Sequence, residues 1–141
     1  MTDTTYDALG YFSAKLLHET DASDVYAALK AGEPLTLVDV RSADAWAQGH
    51  AQGAVHMPYR EIAARAANEI DPAVPVVVYC WSPGCNAGAK GAVEFARLGY
   101  SVREMIGGFE YWAREGLPVD GADGALPRIF DPLVMYVRTP K

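Results

Sequence analysis

Residues 74–100, VPVVVYCWSPGCNAGAKGAVEFARLGY, decide the fold, because they lead from an apolar run to a helical pattern through a loop that contains both cysteines. The run 73–80 is continuously apolar and rich in valine, which predicts a strand buried on both faces of a parallel sheet. The segment 87–100 predicts a helix. Cys80 therefore stands where the strand ends, and Cys85 lies in the loop that follows.

The rest of the chain repeats this alternation of strand and helix. Helices are predicted over residues 6–18, 21–32, 42–48, 60–70 and 107–116, and strands over 34–40 and 101–106. Asp21 or Ser23 would cap the second helix, and Ser42 the third. We expect an α/β three-layer sandwich, in which helices flank a mostly parallel central sheet.

This pattern divides the chain into three parts. Residues 1–20 are predicted to be an N-terminal helical extension, residues 21–119 the α/β domain, and residues 120–141 a tail of uncertain packing, rich in glycine and proline. Four side chains near the end of the domain are expected to close the core below the loop: Met105, Ile106, Phe109 and Trp112.

Composition excludes several classes of partner. The formal net charge is −6 and lysine and arginine form no cluster, which argues against a nucleic-acid surface. No apolar run approaches the roughly 20 residues that cross a bilayer. The N-terminus is acidic and unlike a signal peptide, so we expect a cytoplasmic protein. In that reducing compartment, two cysteines five residues apart favour reactive thiols or metal ligands over a structural bridge.

The position of Cys80 indicates a reactive thiol. Ligands of open α/β sheets bind beyond the carboxyl ends of the strands, and a thiolate is stabilised by a helix N-terminus and by backbone amides. No lysine or arginine occurs in the loop, so backbone N–H groups are expected to surround the sulfur. The predicted substrate-binding loop comprises Trp81, Ser82, Pro83, Gly84, Asn86, Ala87 and Gly88. Alternatively, Cys80 is only a small apolar residue of the core.

Three motifs in the same order resemble the rhodanese-like domains. They are LVDVRSADAWAQGHAQGAVHMP at residues 37–58, VVVYC with its loop and helix, and IGGFEYWAREGLPV at residues 106–119. The resemblance implies a sulfurtransferase without a metal or organic cofactor. Cys80 would take sulfane sulfur from a donor such as thiosulfate or another persulfide, hold it as a persulfide, and pass it to a thiol or a cyanide-like acceptor. The implied partners are a small-molecule or protein sulfur donor and a thiol acceptor.

The loop also departs from that family, because it is longer and lacks a cation. Phosphatases built on the same fold have an arginine six positions after the cysteine, where this chain has Asn86. Asn86 offers no charge to a phosphate dianion, which disfavours phosphatase activity. The same absence of a loop cation argues against thiosulfate as the best donor.

Cys85 has two open interpretations. It could resolve the Cys80 persulfide, releasing sulfide and leaving a disulfide that a thioredoxin-like reductant reopens, or it could be a bystander. A disulfide requires Cα atoms within about 7 Å, which a tightly curved loop permits. A zinc site made of both cysteines and two of the three histidines is disfavoured, because nothing brings the histidines together.

Two further features have open roles. Asp39 and Arg41 could form an ion pair beside the site; the resemblance suggests that they organise the crevice, whereas an ordinary structural pair is the simpler interpretation. Trp81 could cap the pocket or form an exposed docking face. Two alternatives to a sulfurtransferase therefore remain: a non-catalytic rhodanese-like protein-binding module, and a two-cysteine thiol oxidoreductase or persulfide reductase.

Overall fold

The computed structural model describes residues 7–134 and confirms the predicted fold class. Five strands form the central sheet: β1 (Glu19–Thr20), β2 (Thr36–Asp39), β4 (Val55–His56), β5 (Val76–Tyr79) and β6 (Val102–Met105). Their order is β1-β6-β5-β2-β4, and every neighbouring pair is parallel. The strand predicted from the central apolar run is therefore the middle strand, and Cys80 follows it directly.

Six helices accompany the sheet: α1 (Ala8–His18), α2 (Ala22–Lys30), α3 (Ala43–Gln48), α4 (Ile62–Glu69), α5 (Ala87–Arg97) and α6 (Gly108–Arg114). Of the two alternative caps for α2, Asp21 is the one used, because its carboxylate accepts from the N–H of Asp24 at 2.8 Å. Ser42 caps α3 through the N–H of Ala45. Tyr6, the predicted start of the first helix, lies outside the described residues.

Alternate residues of the strands face two separate cores, which gives the three layers. On one face, Val38, Val40, Val76 and Val78 pack with Ile62 and Ala66 of α4 and Phe95 of α5. On the other face, Leu37, Val77 and Tyr79 pack with Ala22 and Val25 of α2 and Trp112 of α6. Cys80 belongs to the first of these cores.

A second, smaller sheet was not expected from the sequence. It is antiparallel and comprises β3 (His50–Ala51), β7 (Val119–Gly121) and β8 (Gly124–Ala125), with β7 in the middle. The chain after α6 therefore folds back against the segment that follows α3. The predicted domain limits, residues 21 and 119, stay predictions.

The residues expected to close the core behave differently from one another. Met105 and Trp112 are fully buried and Phe109 packs against them. The expectation for Ile106 was wrong, because its side chain is 41% exposed. Ile106 follows the end of β6 and lines the cavity described below.

A search of the helices within residues 7–134 finds none that combines the length and the apolar character of a membrane span.

Candidate active site

A cavity of about 920 Å³ opens beyond the carboxyl ends of the central strands. Cys80, Ser82, Pro83 and Cys85 line one side of it. Cys80 is buried, at 4% exposure, and packs in the core that α4 and α5 cover. Core packing therefore fixes the position of Cys80, and the residue also lines the cavity. This is the position expected for a ligand-binding residue in a parallel sheet.

Cys80 and Cys85 form a disulfide whose Cα atoms are 6.3 Å apart. The loop between them is therefore curved tightly enough to bring its two ends together. The turn is closed by the Cys85 N–H, which donates to the Ser82 carbonyl at 3.0 Å and encloses Pro83 and Gly84. In this oxidised form neither sulfur is a nucleophile. The predicted set of amides around an ionised Cys80 belongs to the reduced form and stays a prediction.

Helix α5 begins directly behind Cys80. A Cβ atom placed on Gly88, in the first turn of α5, would lie 3.6 Å from the Cys80 Cβ. Asn86 occupies the N-cap position but makes no side-chain cap hydrogen bond. The positive end of an 11-residue helix therefore lies next to Cys80, with no side-chain cap from Asn86 on its amides. Such an end favours a thiolate over a thiol.

The predicted loop residues divide into two groups. Ser82 and Pro83 line the cavity, whereas Trp81, Gly84, Asn86, Ala87 and Gly88 do not. The Trp81 ring lies 4.3 Å from the guanidinium carbon of Arg41 and packs edge-on against Phe109, and it remains 40% exposed. It therefore packs on the domain and still offers part of its surface to solvent.

Helix α6 anchors the start of the loop through its first amides. The Phe109 N–H donates to the Cys80 carbonyl at 2.8 Å, and the Glu110 N–H donates to the Trp81 carbonyl at 2.7 Å. This approach requires glycine at position 108, where φ is +63° and an added Cβ would lie 2.6 Å from the Cys80 carbonyl oxygen. The Gly-Gly pair of the third motif thus fixes the backbone that carries the cysteine.

We expect Gly108→Ala to lower the free energy of unfolding by about 2–4 kcal/mol, because it combines left-handed backbone strain with a clash against Cys80 backbone atoms. Gly84→Ala is the matched control. Gly84 lies in the loop that α6 anchors, has no positive φ, and an added Cβ there would meet nothing within 4 Å. Its effect should stay within about 0.5 kcal/mol. Urea unfolding of both variants measures the difference, and equal stabilities would contradict this account of the α6 contact.

Asp39 and Arg41 form a fully buried ion pair that does not line the cavity. The Arg41 Nη2 donates to Asp39 Oδ2 and to the Gly49 carbonyl, each at 2.7 Å. The Tyr79 hydroxyl also donates to Asp39 Oδ2 at 2.7 Å, and burial together with this carboxylate raises the Tyr79 pKa. The Arg41 guanidinium contacts the loop through the ring of its first residue, Trp81. Its predicted role in organising the crevice stays a prediction.

The lining of the cavity also includes charged residues to which the sequence analysis assigned no role in the site. They are the acidic residues Asp21, Asp24, Glu104 and Glu115, which we call the acidic wall, and the basic residue Lys15. Glu104 lies near Cys80 because β6 pairs with β5 in the sheet, an order that the sequence analysis did not assign. Asp21, Asp24 and Glu115 come from α2 and the end of α6, which only the tertiary structure brings here.

Glu104 is the carboxylate of this wall that lies against the start of α5. Its Oε2 would be 2.6 Å from a Cβ atom on Gly88, the same glycine that contacts Cys80. Burial, followed by the negative charge of Glu19, raises the Glu104 pKa, and Lys15 opposes the shift. The pKa of Glu115 is also raised, by burial and then by Asp21. Burial therefore works against the ionisation of these two carboxyl groups, Glu104 and Glu115.

The raised pKa of Glu104 predicts a pH-dependent stability. Because the folded pKa lies above the unfolded value, the ionised form costs stability, and that cost is absent below the unfolded pKa of about 4.3. Glu104→Gln should therefore raise the Tm at about pH 7 and lose this advantage near pH 4. The exposed Glu33→Gln serves as control and should change the Tm at neither pH. A Glu104→Gln advantage that grows on acidification would contradict the assignment.

Two of the three histidines, His50 and His56, make local contacts. One ring nitrogen of His50 lies 2.9 Å from the Trp46 carbonyl, and one of His56 lies 2.8 Å from the Arg41 carbonyl. Both rings stack on the Trp46 ring. In the part of the chain that the structure describes, no group of three or more His, Cys, Asp or Glu residues is arranged to hold a metal ion.

Comparison with known proteins agrees with this geometry. The sequence pattern of the "Rhodanese-like domain" matches residues 21–115. The HTH-type transcriptional regulator Rv0324 of Mycobacterium tuberculosis is 40% identical over 92 residues, which are 64% of this chain and 39% of that protein. The chain thus spans well under half the length of that relative. Thiosulfate sulfurtransferase GlpE of Actinobacillus succinogenes is 36% identical over 96 residues, which are 67% of this chain and 84% of the relative.

Solved structures give the same result for the fold. The BH2092 protein from Bacillus halodurans superposes with a TM-score of 0.77 at 37% sequence identity, covering 83% of this chain and 86% of that one. Thiosulfate sulfurtransferase from Pseudomonas aeruginosa superposes with a TM-score of 0.66 at 28% identity, covering 72% of this chain and 19% of that one. The superposed part is therefore a small share of that much longer protein.

Proposed function

Because this chain belongs to the rhodanese-like domain family, we propose that it is a sulfurtransferase that carries sulfane sulfur as a persulfide on Cys80. The observation that carries the proposal is the placement of Cys80 between the end of the central strand, the start of α5 and the cavity. The relative named thiosulfate sulfurtransferase supports the reaction class. Neither the donor nor the acceptor follows from that name.

The reaction begins with the reduced protein. The Cys80 thiolate attacks the sulfane sulfur of the donor, the donor's S–S bond breaks, and the rest of the donor leaves with the electron pair as sulfite or a thiolate. The outer sulfur of the Cys80 persulfide is then attacked by an acceptor thiolate or cyanide. Cys80 leaves as a thiolate and is ready for another cycle. The positive end of α5 stabilises the anionic sulfur in both half-reactions.

The disulfide favours a second candidate function, a persulfide reductase. Here the Cys85 thiolate attacks the inner sulfur of the Cys80 persulfide, and hydrosulfide leaves with the electron pair. The product is the Cys80–Cys85 disulfide found in the structure. A thioredoxin-like dithiol would then reduce it by two electrons and return both thiols. This route uses Cys85 in every turnover, whereas the sulfurtransferase route does not need it.

The partners of the proposed reaction are a small-molecule or protein sulfur donor, a thiol acceptor and, for the disulfide, a thioredoxin-like reductant. A protein partner would contact the exposed part of Trp81, the first residue of the loop. A non-catalytic binding module would use the same surface without the thiol. The cytoplasmic location stays a prediction.

A thiol titration after turnover separates these functions. The reduced wild type and Cys85→Ser are each given a donor and cyanide, with thiocyanate and hydrosulfide measured. A sulfurtransferase forms thiocyanate with both proteins and keeps its thiols. A persulfide reductase releases hydrosulfide and loses two thiols in the wild type but not in Cys85→Ser. Both enzymatic proposals would be overturned if no donor yields thiocyanate or hydrosulfide. If Cys80→Ser then also binds a protein partner as the wild type does, the binding module is favoured.

A further inference from the structure

We propose that Glu104 is a specificity-determining residue, which makes the Cys80 cavity prefer neutral or positively charged sulfur compounds, such as aminothiols and their persulfides, over anionic donors such as thiosulfate. The inference names the substrate class of the proposed sulfurtransferase and in that respect rests on it. The charge preference itself is a property of the cavity and can be measured whether or not sulfur is transferred.

The sheet places Glu104 on the same side as the reactive cysteine. Glu104 in β6 pairs with Val78 in β5. Residues paired across parallel strands point to the same face, and so do residues two positions apart in one strand. Glu104, Val78 and Cys80 therefore share the α5 face of the sheet. The contacts agree, because the Glu104 carboxylate and the Cys80 side chain both lie against Gly88.

The other charges of the cavity compensate Glu104 only in part. Asp21, Asp24 and Glu115 add three further carboxyl groups to the lining. Lys15 is the one basic residue of the lining, and its amine is salt-bridged to Glu19. Among residues 7–134, no salt bridge engages any of the four lining carboxylates. An anionic donor that approaches Cys80 therefore meets a wall of its own sign.

The loop supplies no opposing charge. Residues 81–87 contain no lysine or arginine. The nearby Arg41 is paired with Asp39 and lies outside the cavity lining. The positive end of α5 attracts anions, but in the reduced site it would already face the Cys80 thiolate. A carboxylate at the edge of that helix end discriminates against a second anion but not against an ammonium group.

Two methanethiosulfonate reagents of opposite charge test this directly: the 2-aminoethyl reagent, a cation, and the 2-sulfonatoethyl reagent, an anion. A thiolate attacks either reagent at the same sulfur, an S–S bond forms, and methanesulfinate leaves. The reduced Cys85→Ser protein is used, so that only Cys80 reacts. Its cation-to-anion rate ratio at about pH 8 is divided by that of a short cysteine peptide, which removes the intrinsic reactivity of the reagents.

We expect a corrected ratio on the order of 10, since opposite charges at a partly enclosed site change encounter rates by about this factor. Adding Glu104→Gln should at least halve the ratio. Adding the exposed Glu33→Gln, which lies outside the cavity, should leave it unchanged. Raising the salt from about 0.02 M to about 0.5 M should compress the ratio, because screening weakens the field of the wall.

A corrected ratio below about threefold, or one that Glu104→Gln does not change, would overturn the proposal. A second measurement then tests the substrate class: Glu104→Gln should accelerate sulfur loading from thiosulfate more than loading from a neutral persulfide, and equal acceleration would contradict the preference. If no donor loads sulfur at all, the sulfurtransferase proposal fails. The reagent ratio would still decide the role of Glu104.

Discussion

A Cys80→Ser variant is expected to lose sulfur transfer by a factor on the order of 10³ or more, with unchanged fold. A serine hydroxyl stays protonated at neutral pH, because a helix end lowers a pKa by far less than its deprotonation requires. It also forms no persulfide, so the covalent intermediate is lost. Thiocyanate formation from a donor and cyanide measures the effect. The side chains are nearly isosteric, and Cys80 is packed in the core, so circular dichroism and Tm check folding.

Cys85→Ser is the matched control, because it removes the other sulfur of the same disulfide. In a sulfurtransferase it should retain activity within about tenfold of the wild type, since Cys85 does not hold the transferred sulfur. Transfer by Cys80→Ser at a rate close to that of Cys85→Ser would contradict the assignment of the nucleophile. Loss of hydrosulfide release in Cys85→Ser alone would support the persulfide reductase route.

The second large effect is on stability. We expect Asp39→Asn to lower the free energy of unfolding by about 3–5 kcal/mol, because it leaves the buried Arg41 guanidinium without its counter-charge. Asp39 also accepts hydrogen bonds from the Arg41 N–H at 2.9 Å and from the Tyr79 hydroxyl at 2.7 Å. An asparagine can accept through one oxygen only. Urea unfolding of the wild type and the variant measures the difference.

Glu69→Gln provides the comparison, because it breaks a solvent-exposed pair with Arg65. An exposed pair of this kind contributes about 0–1 kcal/mol, so the two variants should differ by several-fold. A loss within about 1 kcal/mol for Asp39→Asn would show that the network around Arg41 is not a major source of stability. It would also argue against the prediction that Asp39 and Arg41 organise the loop through the contact between Arg41 and Trp81.

The sequence predicted the elements whose signals are local. The valine run and the helical pattern after the loop identified β5 and α5, and the alternation of strands and helices identified the parallel sheet. Ser42 was correctly predicted as a cap, because its hydroxyl acts on an amide three residues away. The position of Cys80 followed from the same local pattern, since a strand that stops at a cysteine places that cysteine at the carboxyl end of the strand.

Features that depend on distant residues could not be predicted in this way. The strands β3 and β8 contain two residues each, too few to show an alternating pattern. The acidic wall is assembled from α2, β6 and the end of α6, so no single segment carries its signal. Ile106 resembles a core residue by its type, but it follows the last residue of β6, where the chain borders the cavity.

The most direct test is to locate the transferred sulfur. The reduced protein is incubated with thiosulfate or with a small persulfide, trapped by alkylation and digested, and the peptide that contains both cysteines is fragmented in the mass spectrometer to assign the added sulfur to Cys80 or to Cys85. We expect the peptide segment that carries Cys80 to gain the mass of one sulfur atom with at least one donor, and to lose it when a thiol acceptor is added. Sulfur found on Cys85 alone, or on neither cysteine with every donor, would contradict the account.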